Sequence, residues 1–233
     1  MVKMLACDIY GLKTRIRFLR EEDEGEVAQL LRFFLKKDID RVDVDLGFKK
    51  KAVAREIGSL LFPCLAEIGI WAVHAGGFHK NGVILTVGPS ECGKSTLTYE
   101  ALKRGLYVLG DDIILLRENQ EGIEALPFFS TISLRDETVT PEAECFRPGL
   151  VRAFLLPRLT RDGTCVKRLE RGSDLMQNLV PQFLWSSRKE ISHAQALFLE
   201  RLCAYPAYEL GWGPEIREEP RVFEGMLHEI VQG

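Results

Sequence analysis

Residues 82–104 read GVILTVGPSECGKSTLTYEALKR, and this stretch decides the fold. Gly88 to Ser95 match the phosphate-loop (Walker A) pattern G-x-x-x-x-G-K-[ST] in full. Gly82–Val87 reads as a buried strand and Thr96–Arg104 as a helix, so the loop has the strand–loop–helix setting it requires. The pattern implies a nucleoside triphosphate as ligand and an α/β fold around it.

A triphosphate tail carries up to about four negative charges, which such a loop meets with inward-pointing backbone N–H groups and the positive end of its helix. Gly88, Ser90, Glu91, Cys92, Gly93, Lys94, Ser95 and Thr96 are the expected lining. Pro89 has no N–H, so the donors should come from Glu91 to Thr96. Lys94 is expected to reach the β- and γ-phosphates and the Ser95 hydroxyl to bind Mg²⁺. Thr96 is expected to cap the helix and touch the α-phosphate. Cys92 admits two readings. A thiol at a helix N-terminus can have a lowered pKa. The plainer expectation is a position that tolerates almost any residue.

Asp111-Asp112 is the second chemical feature. It lies 17 residues beyond Lys94, about the length of one helix back and one strand forward, so the pair arrives near the phosphates. A magnesium-dependent transfer needs carboxylate to hold the metal and a base when the acceptor is a hydroxyl. Consecutive side chains of an extended chain face opposite ways, so one carboxylate should point into the site more squarely than the other.

The remaining composition mainly excludes. The 233 residues are 46% hydrophobic, enough for one sizeable core or a main domain with an appendage. Basic and acidic residues number 31 and 34, for a net charge of −3, and no basic block exceeds Lys49-Lys50-Lys51, read as the start of a solvated helix. Nucleic acid is not expected as a partner. The N-terminal MVKMLACDIYG is too short and polar for a signal peptide. The apolar stretch Ile68–Ala75 falls far below the roughly 20 residues that span a bilayer. A cytoplasmic protein with no membrane contact is the expectation. Six scattered cysteines form no C-x-x-C pair, which argues against a zinc site or a disulfide framework. His74 and His79 have no thiol or carboxylate beside them in sequence, so a metal site built on the two is not expected. No L-S-G-G-Q-like stretch marks a transporter ATPase, and no N-K-x-D reads guanine.

Along the chain, residues 4–10 and 14–19 read as strands joined by a turn at Gly11. Glu21-Glu22-Asp23-Glu24 loads negative charge at a helix start, and Val27, Leu30, Leu31 and Phe34 follow at helical spacing. Residues 39–48 alternate like a half-exposed strand. Residues 50–67 read as a helix interrupted near Pro63. Residues 1–67 are therefore expected to form a small N-terminal β/α subdomain, and 68–233 the phosphate-loop domain. No Pro/Gly-rich linker separates the two, so direct packing is expected. Residues 68–78 read as one strand entering a hairpin turn at Lys80-Asn81-Gly82. Gly105 supplies a helix stop. Strands are expected at 106–109, 113–116, 123–126, 130–134, 151–156 and 205–210, and helices at 171–184, 189–204 and 220–231. Arg135, Arg147, Arg158 and Arg168 are weak phosphate-contact candidates, Arg158 the best of them. Trp71, Trp185 and Trp212 are expected to pack rather than to stack on adenine.

The run VILTVGPSECGKSTLTYEALKRGLYVLGDDIILL resembles the catalytic domain of HPr kinase/phosphorylase. It is still more similar to the shorter HPr-kinase-like proteins of peptide-modification gene clusters, such as the lasso-peptide-cluster kinases and the SynChlorMet cassette proteins called ScmC. In that family the loop helix ends at a Gly, a short strand follows and an Asp-Asp pair completes it, here Gly105, Tyr107–Leu109 and Asp111-Asp112. A histidine precedes the loop in a stretch resembling WAVHAGGFHKNGVIL, which maps onto His74. The resemblance covers residues 70–116 strongly, 150–210 weakly and 1–67 hardly at all.

The resemblance implies a mixed-sheet core related to ATP-dependent phosphoenolpyruvate carboxykinases, using ATP and Mg²⁺. It makes Asp111 the base that takes the acceptor hydroxyl proton, puts Asp112 on Mg²⁺ beside Ser95, and sets His74 near the Asp pair and the transferred phosphate. It implies a serine-type hydroxyl of a protein or peptide as acceptor, and it allows a homo-oligomer, since the bifunctional members form hexamers. The glycine-rich signature that follows the Asp pair in those members is absent from GIEALPFFSTISLRDET, which argues against phosphorolysis and against HPr as substrate. Two other readings stay open on the residues: a kinase for a small-molecule hydroxyl, and an ATP-binding accessory protein without phosphoryl transfer.

Overall fold

The computed structural model describes residues 3–18, 21–48 and 54–232. The lysine triplet at 49–51 lies outside the described residues. The chain divides into two compact units, Met1–Ile70 and Trp71–Gly233.

In the first unit, β1 (Lys3–Ile9) and β2 (Leu12–Phe18) form an antiparallel hairpin. Its turn is two residues, Tyr10 and Gly11, with φ of 52° and 98°. Positive φ at both positions is the geometry that matches the right-handed twist of the flanking strands. The β2 side chains alternate, and Leu12, Thr14, Ile16 and Phe18 are buried. Helix α1 (Glu21–Leu30) buries Val27, and the 3-10 turn Arg32–Phe34 after it buries Phe34. Helical spacing thus extends past the helix proper. β3 (Leu35–Lys36) pairs with β1, and β4 (Val44–Phe48) runs parallel to β2, giving the order β3-β1-β2-β4. The expected strand over 39–48 is confined to its second half. Helix α2 (Ala54–Glu67) runs through Pro63 without interruption and buries Ile57, Leu61 and Leu65, one stripe at i, i+4, i+8. Pro63 withholds one intrahelical donor, and that loss does not break the helix.

The second unit is a nine-stranded mixed sheet covered by helices. Its elements are β5 (Ile70–Val73), β6 (Ala75–His79), β7 (Val83–Val87), α3 (Lys94–Lys103), β8 (Val108–Gly110), β9 (Ile114–Asn119), β10 (Gly122–Pro127), β11 (Ile132–Ser133), β12 (Thr138–Val139), β13 (Gly149–Leu159), β14 (Cys165–Arg168), α4 (Gly172–Leu179), α5 (Lys189–Leu202), β15 (Ala207–Trp212), α6 (Glu215–Glu218) and α7 (Pro220–Gln232). The strand order is β5-β9-β10-β13-β7-β6-β8; β15 pairs with β13 and β14, while β11 and β12 form a separate ribbon. β7 is buried along its whole length, as a central strand covered on both faces should be.

Alternation along β13 splits the core. Ala153 and Leu155 join Ile84, Leu97, Ala101, Trp212, Phe223 and Leu227 under α3 and α7. Phe154, on the opposite face, meets Tyr205 edge-on at 6.5 Å. Trp71 of β5 and Phe183 pack on Phe198 of α5 at 5.8 and 6.4 Å. The expected single strand over 68–78 is instead two, β5 and β6, broken at His74. β14 and α6 have no counterpart among the expected elements.

Parallel order fixes which end carries chemistry. β7, β13 and β15 run the same way, and β8, antiparallel to β6, runs with them. Their carboxyl ends therefore share one edge of the unit, where α/β folds bind ligands. The Gly88–Gly93 loop, Asp111 and the end of β15 all follow those strands. β6 runs the other way, so its first residue, Ala75, pairs with Val87 and leaves His74 at the same edge. Among the described residues, no helix is long and apolar enough to cross a membrane.

Candidate phosphate-loop active site

The loop is shaped by positive φ at Gly88 (150°), Glu91 (64°) and Gly93 (112°). Gly93 occupies the cap position of α3, which starts at Lys94. Two constraints make it glycine: its φ, and a Cβ that would lie 2.1 Å from Cζ2 of Trp212. Trp212 is 3% exposed, and its Nε1 donates to the Cys92 carbonyl at 3.0 Å. It packs beneath the loop, in the role expected of it.

Cys92 departs from expectation. It is buried, and its sulfur faces Gly88, where a Cβ would stand 3.1 Å away. The position does not accept any residue, because the side chain fills the inside of the loop. Nor is the thiol activated. Burial pushes its pKa up, and Lys94 and backbone hydrogen bonds offset only part of that.

Lys94 is 6% exposed, and its Nζ donates to the carbonyl oxygens of Gly88 and Pro89, both at 2.9 Å. Burial lowers its pKa, against the attraction of Cys92, Asp112 and Asp111. Ser90 and Glu91 are exposed on the outer turn of the loop. Thr96 does not cap α3. It lies inside the helix, and its Oγ1 accepts from Nη2 of Arg217 at 3.2 Å.

The two aspartates differ sharply. Asp111, which follows β8, is 3% exposed. Its carboxylate hydrogen-bonds Ser95 and accepts from the Ser133 N–H at 3.1 and 3.2 Å. Burial pushes its pKa up to about 6 in spite of those bonds, with Asp112 adding a smaller upward push. Asp112 turns back at φ 72°, a left-handed conformation that aspartate tolerates. Its side chain is 60% exposed, and Oδ1 stands 3.4 Å from Nε2 of His74. The alternation expected from sequence is thus present, produced by a turn after β8.

His74 is fixed at the break between β5 and β6. Its N–H donates to the Gln182 carbonyl at 2.8 Å, and its ring hydrogen-bonds the Gln182 side chain. Burial, followed by the Lys94 charge, lowers its pKa although Asp112 and Gln182 pull it up. With its pKa lowered, the ring favours the neutral form, and its 3.4 Å contact with Asp112 becomes an ion pair only when the ring is protonated.

The structure brings Lys94, Ser95, Asp111, Asp112 and His74 to one edge. Of the candidate arginines, Arg158 pairs with Glu209 at 3.2 Å and Arg147 lies over the Tyr107 ring. The arginine that meets the loop helix is Arg217, absent from the sequence-based candidates. Ser133 and Gln182 were missed too; neither sits in a motif. Trp212 carried one readable signal, its place between Gly211 and Gly213. Among the described residues, no group of three or more His, Cys, Asp or Glu could hold a metal. The donors at hand are the Ser95 hydroxyl and the Asp111 carboxylate, hard oxygens of the kind Mg²⁺ prefers.

No protein-family model matches the chain, and no curated protein does. Among solved structures it is similar to the HPr(Ser) kinase/phosphatase from Coxiella burnetii, with 13% identity over 68% of this chain and 88% of that one and a TM-score of 0.44.

Proposed function

We propose that the chain is a Mg²⁺- and ATP-dependent kinase that transfers the γ-phosphate to a serine-type hydroxyl of a protein or peptide. The observation that carries this is the placement of two unlike carboxylates beside the loop: Asp111 bonded to Ser95, and the exposed Asp112 beside His74. Triphosphate binding alone has no need for the second. The resemblance to HPr-kinase-like proteins of peptide-modification clusters points to the same acceptor class.

Ser95 and Asp111 would hold Mg²⁺, which when bound neutralises charge on the β- and γ-oxygens. The loop N–H groups and Lys94 orient the triphosphate. Lys94 must leave the Gly88 and Pro89 carbonyls to do so. In the transfer, the acceptor oxygen bonds the γ-phosphorus, the bridging bond to the β-phosphate breaks to release ADP, and the acceptor proton passes to a carboxylate.

Our reading gives that proton to Asp112, the reverse of the assignment the resemblance implies. Asp111 is shut away from any macromolecular hydroxyl, whereas Asp112 is exposed, with the His74 ring 3.4 Å from its Oδ1. A pKa near 6 would suit a base, but a cation beside Ser95 would draw Asp111 back to the charged form. Access therefore decides.

The test is transfer from γ-labelled ATP to serine-containing peptides and, in parallel, to a mixture of small hydroxyl compounds. Label on peptide only is expected, and label on small compounds only would overturn the acceptor class. ATP bound without ADP formation in either mixture would make the chain an accessory binder. Asp112→Asn is expected to lower kcat with ATP affinity intact, and Asp111→Asn to weaken Mg²⁺-dependent ATP binding. The reverse pattern would restore Asp111 as base.

A further inference from the structure

We propose that Arg217 is a ligand of the nucleotide's α-phosphate, brought to the loop helix by the segment that follows β15. The proposal rests on the nucleotide-binding reading above and extends it to a residue 121 positions from its contact on that helix.

The position comes first. Thr96 ends the run of backbone donors expected to face the triphosphate, in the first turn of α3. Arg217 Nη2 already donates to Thr96 Oγ1 at 3.2 Å. A phosphate oxygen accepting from that turn stands within reach of the same guanidinium. A guanidinium has five N–H donors in a fixed fork, and the Thr96 bond uses one.

The charge comes second. Arg17, Arg104, Arg117, Arg158 and Arg201 each pair with a carboxylate. Among the described residues Arg217 forms no ion pair. A cation set on a neutral hydroxyl, beside a loop built for anions, is the arrangement suited to bidentate phosphate contact.

The anchoring comes third. Thr96 and Glu100 lie one turn apart on one face of α3, and Arg104, the C-cap residue, bonds back to Glu100 on that face. α6 lies along that face: Arg104 Nη2 donates to the Ile216 carbonyl at 3.0 Å, and Arg217 meets Thr96. Ile216 is fully buried, and Glu215 accepts from Thr164 Oγ1 at 2.6 Å. The two residues before Arg217 are therefore pinned, so its backbone needs no ordering when a ligand arrives. Only side-chain freedom is lost, which keeps the entropic cost of the contact low.

The experiment measures dissociation constants of ATP, ADP and AMP, each with Mg²⁺, for the wild type, Arg217→Ala and Arg217→Lys, with melting temperatures of all three proteins. Arg217→Ala is expected to weaken ATP and ADP by a similar factor of about ten or more, the range of a charge-assisted hydrogen bond. Arg217→Lys is expected to recover part of the loss, and melting temperatures without nucleotide are expected to agree. Wild-type affinity in Arg217→Ala overturns the proposal while leaving nucleotide binding standing. Loss for ATP but not ADP moves the contact to the γ-phosphate and overturns it as stated. Loss accompanied by a lowered melting temperature and no recovery with lysine makes Arg217 a support of α6. Failure of the wild type to bind any of the three overturns the nucleotide reading itself.

Discussion

The Trp212 indole N–H donates to the Cys92 carbonyl at 3.0 Å, across 120 residues of sequence, and the same ring leaves no room for a Cβ at Gly93. The end of β15 thus sets the height of the phosphate loop. Trp212→Phe keeps the ring's bulk in part and loses the donor, leaving a buried carbonyl unpaired. The expected cost is about 1–3 kcal/mol in stability, with weakened ATP affinity. Nucleotide binding should also change the emission of the wild type more than that of Trp212→Phe, which retains Trp71 and Trp185. Chemical denaturation and a fluorescence titration check both.

Gly93→Ala should be far worse, because backbone strain and the clash with Trp212 add. The cost expected is on the order of 2–4 kcal/mol, with ATP binding lost. If Gly93→Ala regains binding when combined with Trp212→Ala, the ring is the obstacle and the left-handed backbone the lesser term.

Cys92 should be slow to react although it sits at a helix N-terminus. Burial raises its pKa, and the sulfur faces Gly88. Cys165 is exposed on β14. Brief alkylation at pH 8 followed by peptide mapping should modify Cys165 first and leave Cys92, with Cys7, among the last. Labelling of Cys92 as fast as Cys165 would contradict this. Cys7 is the internal reference, since burial pushes it up to about 11.

What could be read from the sequence followed the range of the interactions. The strand, loop and helix at 82–104 are contiguous, and Lys94, Ser95 and the Asp pair came with them. The hairpin turn at Gly11 and the stop at Gly105, with φ 75°, were legible because glycine supplies positive φ locally. Trp212, Gln182, Ser133 and Arg217 come from distant segments whose arrival depends on the strand order, and none lies in a motif. α6 is four residues long, too short for a 3.6-residue period to register. Pro63 misled in the other direction: a local rule predicted a break, and the buried stripe Ile57, Leu61, Leu65 overrode it. The unequal exposure of Asp111 and Asp112 was foreseen as alternation, but which one turns outward depends on the turn after Gly110.

Asp111 should make the nucleotide-free protein more stable in mild acid. Its pKa is raised from 3.8 to about 6 by burial, so between those values the folded state holds a proton that the unfolded state has released. Stability therefore falls as pH rises through that window, and the penalty is complete above about pH 6. A shift of about two units corresponds to roughly 2–3 kcal/mol. His74 and His79, whose pKa values burial lowers, push the other way in the same window, so the expected sign is in the difference. Between pH 4.5 and 6.5 the denaturation midpoint without nucleotide or Mg²⁺ should fall in the wild type relative to Asp111→Asn. Equal slopes in the two proteins would remove Asp111 as the cause.

Lys94 separates binding from folding. Its ammonium is buried and held by the carbonyls of Gly88 and Pro89, and burial lowers its pKa, so the folded state already bears a desolvation cost for that charge. Lys94→Met keeps the aliphatic length, removes the charge and leaves the Gly88 and Pro89 carbonyls without that donor. ATP affinity should fall by about a hundredfold, the loss of a charge-assisted contact to phosphate. Folding stability should fall by less than about 3 kcal/mol, because the removed desolvation cost offsets part of what the unpaired Gly88 and Pro89 carbonyls lose. Urea denaturation alongside an ATP titration tests the separation. A variant that unfolds readily would show that Lys94 holds the loop together, whereas a stable variant with intact ATP affinity would remove Lys94 from the phosphate site.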